Sequence, residues 1–253
     1  MSPEIWTTLA ATVAGTVLLI RILTLGRARG WSGLTVYLSQ HILWGYALLA
    51  IPRSNRLYLR LYEISNPVEW VAAIVCVMDL LGRAFGAYPG IRSLSRWAAC
   101  GATIAATAIA LTLARFFWSG SARGQKVLFY FEVVDRSVLL SLALIVVLTL
   151  AFLSRYPLPL TVNTWISLIA FSAILLSLAS ARLIDSLAPG LASQAADAAQ
   201  LVFECVCYAV WAGLLQKRET ESPERVIFHH VGEQELLRQL DAMNGILRGA
   251  GRS

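Results

Sequence analysis

The chain has 253 residues, of which 57% are hydrophobic and only 14% charged, and its mean hydropathy is +0.65. A soluble domain carries about 25% charged residues, so the amount of apolar surface excludes an ordinary water-soluble fold and points to a bilayer. The net charge of +6 rests on 21 basic residues, only two of them lysines (Lys126 and Lys217); in so apolar a chain this indicates interfacial arginines, not nucleic-acid binding.

An apolar helix of about 20 residues crosses the hydrocarbon core. Seven segments meet that test, and the expected fold is an all-α integral membrane protein. It comprises a seven-transmembrane-helix bundle over residues 1–216 and a cytoplasmic tail over 217–253 that carries a short amphipathic helix. The first span runs from Ile5 to Leu25; it lacks a charged n-region and an A-x-A cleavage site, so it is expected to remain as an anchor. Arg21 lies one turn from its end and can snorkel outward. The second span runs from Gly33 to Pro52 and the third from Pro67 to Phe85, where Asn66-Pro67 followed by Glu69 reads as a helix start. The fourth, Trp97 to Phe117, follows the turn signal Tyr88-Pro89-Gly90, and its Ala98, Ala102, Ala106 and Ala110 form a small-residue row suited to close helix packing. The fifth, sixth and seventh run from Arg136 to Ser154, Thr161 to Ala181 and Ala195 to Leu215. The four cysteines lie inside apolar runs and read as small hydrophobes.

The connecting loops are almost equally basic on both sides, so the ends decide orientation. Met1–Glu4 has no basic side chain, whereas Arg27 and Arg29 follow the first span and Lys217-Arg218 open the tail. The N-terminus is therefore expected outside and the C-terminus in the cytoplasm. The preference for Arg over Lys suggests a GC-rich genome and a bacterial plasma membrane. In the tail, Leu236, Leu237, Leu240, Met243 and Leu247 fall on one face of a stretch from Glu233 to Leu247. Residues 233–247 either pack on the bundle and the lipid interface or dock a partner protein.

An ionisable side chain near mid-bilayer costs roughly 2.5–3.5 kcal/mol by insertion scales, so such residues carry most of the functional weight. On the second span Tyr37, Gln40, His41 and Trp44 share a face; on the third, Glu69, Cys76, Asp79 and Arg83; on the seventh, Asp197, Gln200, Glu204, Tyr208 and Trp211. At about 1.5 Å per residue, His41 stands about 12 Å and Asp79 about 9 Å from the cytoplasmic face, with Glu204 near mid-span. These three are expected to form one polar layer that binds a proton, a cation or a small polar ligand, with Gln40, Gln200, Tyr208 and Arg83 around them. Burial there disfavours each charged form unless pairing opposes it. The alternative is internal pairing: Asp79 with Arg83 at i, i+4, Gln200 with Glu204, and Glu69 as a helix cap. A second set of charges lies towards the outer face: Arg53, Arg56, Arg60, Arg115, Arg123, Lys126, Arg136 and Arg182, with Glu132, Asp135, Asp185 and Asp197. It reads as anchoring and ion pairing, or as an anion-attracting vestibule.

The outline resembles that of microbial rhodopsins, but a retinal Schiff base needs a lysine in the last span, and Lys126 and Lys217 lie outside every span. The triple-helix sugar transporters share the outline too, yet no span interior carries the proline that kinks their helices. His41 is the only histidine within a span, which leaves no bis-histidine haem site and no rhomboid-type dyad. No H-E-x-x-H motif or phosphate-cradling glycine loop occurs, so neither a cofactor nor a metal is expected and enzymatic activity is disfavoured. Two functions remain: a receptor-like or scaffold module acting through a partner, and a small-solute or proton-coupled transporter using intramembrane carboxylates.

Overall fold

The computed structural model describes residues 3–26, 30–51, 56–86, 88–117, 123–156, 160–187, 190–216 and 238–244. Among them the chain is all-helical. Seven long helices run in order: α1 (Pro3–Thr24), α2 (Ser32–Ala50), α3 (Arg56–Ala84), α4 (Pro89–Phe117), α5 (Arg123–Arg155), α6 (Val162–Leu187) and α7 (Leu191–Leu214). A short α8 covers 238–244. Six of them, all the long helices except α2, are long and apolar enough to cross a membrane. They suggest a membrane location.

The helices close into a ring in chain order. Each long helix packs on the next, α1 packs on α7, and α3 also touches α5 and α6. The ring's interior is filled by Leu18, Leu34, Leu38, Leu80, Leu142, Leu168 and Phe171, all fully buried. The outer surface is as apolar as the inside: Val17, Leu43, Ile104, Leu144, Ile169 and Val206 are each more than half exposed. So large an apolar exterior needs a nonaqueous surrounding.

Three helices begin two or more turns earlier than the sequence patterns imply. α3 runs through Pro67, which lies inside the helix rather than at its first position. α4 starts at Pro89, where the expected turn residue instead fills the first helical turn, a position whose missing N–H costs nothing. α5 starts at Arg123 and carries Asp135 and Arg136 internally. These charges do not end the helix because each finds a partner: Asp135 pairs with Arg182 at 3.1 Å and Arg136 with Glu132 at 3.3 Å. Elsewhere the end signals act as expected. Gly26 closes α1 in the left-handed region at φ 69°, and the Thr161 hydroxyl accepts from the Thr164 N–H at the start of α6.

Arg21, exposed near the end of α1, donates to the Leu215 carbonyl at 3.4 Å, placing a cation on the last carbonyls of α7. One further expectation is corrected. The small-residue row on α4 does not form the packing seam, because Ala98 and Ala102 are exposed while Ala99, Thr103 and Ala114 are buried. The close approach lies between α2 and α3 instead. A Cβ at Gly33 would stand 2.6 Å from Asp79 Cβ and 2.7 Å from the Val75 carbonyl oxygen. At the tail, Leu240 of α8 is buried in the core cluster, and the Asn244 side chain accepts from the Gly90 N–H of α4 at 3.0 Å. The remainder of the 233–247 stretch lies outside the described residues.

Candidate functional site

Glu204 is the centre of the bundle's polar interior. It sits midway along α7 and is only 2% exposed. Gln200 and Tyr208 lie one turn to either side, so helical spacing aims all three inward. The Gln200 amide donates to Oε2 at 2.8 Å, and the Tyr208 hydroxyl donates to Oε1 at 2.8 Å. His41 reaches across from α2 and places Nε2 3.4 Å from the same Oε1. α1 stands between α2 and α7, and its Gly15 leaves room there, facing Tyr208 and Ile42.

An aromatic layer closes this group on the side towards the tail. The Tyr37 ring stacks on His41 at 6.2 Å, His41 meets Tyr208 edge-on at 5.7 Å, and Phe171 meets Tyr37 edge-on at 5.1 Å. One turn further along α7, the Trp211 indole donates to the Ser167 hydroxyl at 3.1 Å. Among the described residues, the buried Tyr37 hydroxyl and Gln40 Oε1 have no hydrogen-bond partner. The Tyr37 hydroxyl stands near that of Tyr208, but not in hydrogen-bonding geometry.

Asp79 does not join this layer. Its Oδ2 accepts the Gly33 N–H at 3.1 Å, in the first turn of α2, and its Oδ1 lies 3.6 Å from Arg83 Nε. The latter distance suits an ion pair but is too long for a hydrogen bond. The Arg83 guanidinium covers the Trp31 ring at 4.5 Å. The expected single layer of His41, Asp79 and Glu204 is thus split in two, and Arg83 belongs with Asp79. The cause is register. With Gly33 opposite Asp79 on antiparallel helices, eight residues along α2 to His41 correspond to eight residues back on α3, at Val71. The helix ends are not flush, so equal distances from them do not mean equal depth.

The same register brings a different carboxylate to His41. Glu69 lies within a turn of Val71, and the charges acting on it are those of His41, Glu204, Arg182 and Asp135. Among the described residues it has no hydrogen bond or ion pair. It lines a cavity of about 10 Å³ together with Tyr37, Trp70, Asp135 and Arg182. That is room for at most one water, which needs about 10–15 Å³. On the far side of the cavity the Trp70 indole donates to Asp135 at 2.6 Å, and Arg182 pairs with the other carboxylate oxygen. A broken row of ionisable groups therefore leads from Glu204 and His41 through Glu69 to Asp135 and Arg182, near the face where α1 begins.

No protein-family model, curated protein or solved structure matches the chain. The chemistry of the cluster is thus the guide. A carboxylate held by a hydroxyl, an amide and an imidazole can exchange a proton with the imidazole over a short approach. The cavity at Glu69 is too small for an organic solute. Among the described residues no three His, Cys, Asp or Glu side chains converge as metal ligands would.

The structure brings Glu204, His41, Gln200 and Tyr208 together and, among the described residues, gives Gln40 no hydrogen bond with them, whereas the sequence alone reads Glu69 as a cap and Arg182 as an anchor. The intrahelical signal for Glu69 was present, since it shares a face with Cys76. The charges acting on it lie on α2, α5, α6 and α7 and leave no trace in local spacing. Arg53, and the side chains of Arg56, Arg60, Arg123 and Lys126, lie outside the described residues.

Proposed function

We propose that the chain is a receptor-like membrane module of seven spans, in which proton exchange at the Glu204–His41 pair governs docking of the C-terminal segment and so reaches a partner protein. The observation that carries this reading is a carboxylate buried to 2% exposure whose hydrogen-bond donors are neutral and whose one cation-capable neighbour among the described residues is His41. Burying such a group is costly, and a side chain kept there at that cost is a functional candidate by default. The row through Glu69 to Asp135 and Arg182 lies on one side of the pair, and Tyr37, Tyr208, Phe171 and Trp211 are packed on the tail side. A buried pair flanked on one side by packed aromatic rings suits sensing better than passage.

The seventh span in this reading is α2. Its inward residues include the polar Tyr37, Gln40 and His41, and its exposed strip carries Val36, Ser39, Leu43 and Tyr46. A helix sheltered in this way can cross a bilayer with modest mean hydropathy. The orientation it implies places the N-terminus and the Asp135–Arg182 pair outside and the tail in the cytoplasm. Output through residues 233–247 is supported by the docking of α8, where buried Leu240 and the Asn244–Gly90 bond form a latch that can open.

The test compares wild type with Glu204→Gln in liposomes by hydrogen–deuterium exchange over 238–244 at pH 5 and pH 8. Pairing the two proteins at each pH cancels the intrinsic rate. Wild type is expected to show a pH-dependent difference in tail protection that Glu204→Gln lacks; equal behaviour of the two proteins would overturn the reading.

The alternative, proton-coupled transport of a small solute, is favoured by the gathering of three carboxylates, Glu69, Asp135 and Glu204, along one row. It predicts proton flux across the liposome membrane that Glu204→Gln abolishes, whereas the sensor reading predicts no such flux in either protein.

A further inference from the structure

A second cavity, of about 250 Å³, opens at the C-terminal end of α3, between the first turn of α2, the last turns of α3 and the first two turns of α4. Arg92 and Arg96 line it from α4, spaced i, i+4 so that both face the cleft. Neither has an ion pair among the described residues. The one carboxylate in the lining, Asp79, is already engaged by Arg83 and the Gly33 N–H. Among the described residues, the cleft therefore carries two positive charges without a paired carboxylate.

We propose that this cleft binds the phosphate-bearing headgroup of an anionic lipid, with Arg92 and Arg96 as its cationic contacts. Three features separate this from a plain solvated charge pair. The first is a seat. Gly82 leaves space where Arg92 crosses α3, and a Cβ there would meet Arg92 Nε at 3.4 Å. The second is depth. Trp97, 77% exposed, follows directly on Arg96, and an exposed Trp beside cations marks the headgroup level of a membrane helix. The third is the cleft's outer rim, where Val75 is exposed and apolar. A free phosphate ion gains nothing from that rim, whereas an acyl chain lies along it while its headgroup meets the guanidinium groups, which bind phosphate oxygens in a two-pronged geometry. The cleft opens on the tail face, where Lys217 and Arg218 follow the last helix. That face is the cytoplasmic one in the orientation proposed above, and anionic lipids are concentrated there.

The test uses the whole protein in neutral detergent, with thermal unfolding followed as short-chain phosphatidylglycerol, phosphatidylcholine or inorganic phosphate is added. Phosphatidylglycerol is expected to raise the unfolding temperature of wild type, with phosphatidylcholine and phosphate giving little change. Arg92→Gln with Arg96→Gln should weaken the phosphatidylglycerol response by about tenfold or more in half-saturating concentration. Both side chains are exposed, so the double variant is expected to fold. Arg115→Gln, at the other end of α4, should respond as wild type does. Gly82→Leu, which fills the seat without removing charge, should weaken the response as well. An unchanged response in the double variant overturns the proposal, and so does an equal response to inorganic phosphate, which would make the cleft an ion site without a lipid.

Discussion

Asp79 and Glu204 are both carboxylates on apolar helices, and the protein treats them in opposite ways. Asp79 is 23% exposed, lies beside the end of a helix, ties down a backbone N–H and faces a guanidinium. Each of those contacts has a structural purpose: α2 begins within van der Waals reach of α3, and Asp79 caps that junction. Glu204 is 2% exposed in mid-helix, where no backbone N–H needs a partner, and it gathers side chains from two helices. An acidic residue that satisfies the backbone is explained by the fold. One that requires the fold to satisfy it calls for another explanation, and that difference makes Glu204 the functional candidate.

The contrast can be broken most forcefully at His41. His41→Leu removes the one cation-capable group within 4 Å of Glu204 among the described residues. It is expected to destabilise the bundle by about 3–5 kcal/mol, as loss of one partner of a buried pair does. Adding Glu204→Gln should recover most of that loss, and thermal unfolding of the single and double variants checks it. If His41→Leu unfolds no earlier than wild type, the two groups do not depend on each other.

The junction under Asp79 should respond to shape more than to charge. Gly33→Ala forces a methyl group against Asp79 Cβ and the Val75 carbonyl, with an expected cost of about 1–3 kcal/mol. The Asp79–Arg83 pair itself should matter less. Its members are 23% and 21% exposed and 3.6 Å apart, so a double-mutant cycle with Asp79→Asn and Arg83→Gln should give a coupling below about 1 kcal/mol. A coupling as large as that between His41 and Glu204 would erase the distinction between the two carboxylates.

Much of the bundle was legible in the sequence because lipid-crossing length and apolar composition are local properties. Six helices long and apolar enough to span follow from them, and so does the inward face of α7, since Gln200, Glu204 and Tyr208 are spaced by whole turns. Helix ends were less legible. Pro67 and Asp135 are stop signals only where nothing compensates for them, and whether Arg182 stands opposite Asp135 depends on how α5 meets α6. Register between helices was not legible at all. One contact, Gly33 against Asp79, moves Asp79 away from His41 and puts Glu69 in its place. No periodicity within α2 or α3 encodes that offset.

Infrared difference spectroscopy across a pH step reads a carboxyl group directly, with wild type, Glu204→Gln and Tyr208→Phe in the same liposomes. Protonation of Glu204 should give wild type a carboxyl C=O band that Glu204→Gln lacks and that shifts in Tyr208→Phe, where the 2.8 Å hydrogen bond is lost. Identical difference spectra for wild type and Glu204→Gln would mean that Glu204 exchanges no proton, and the cluster around it would then be packing alone.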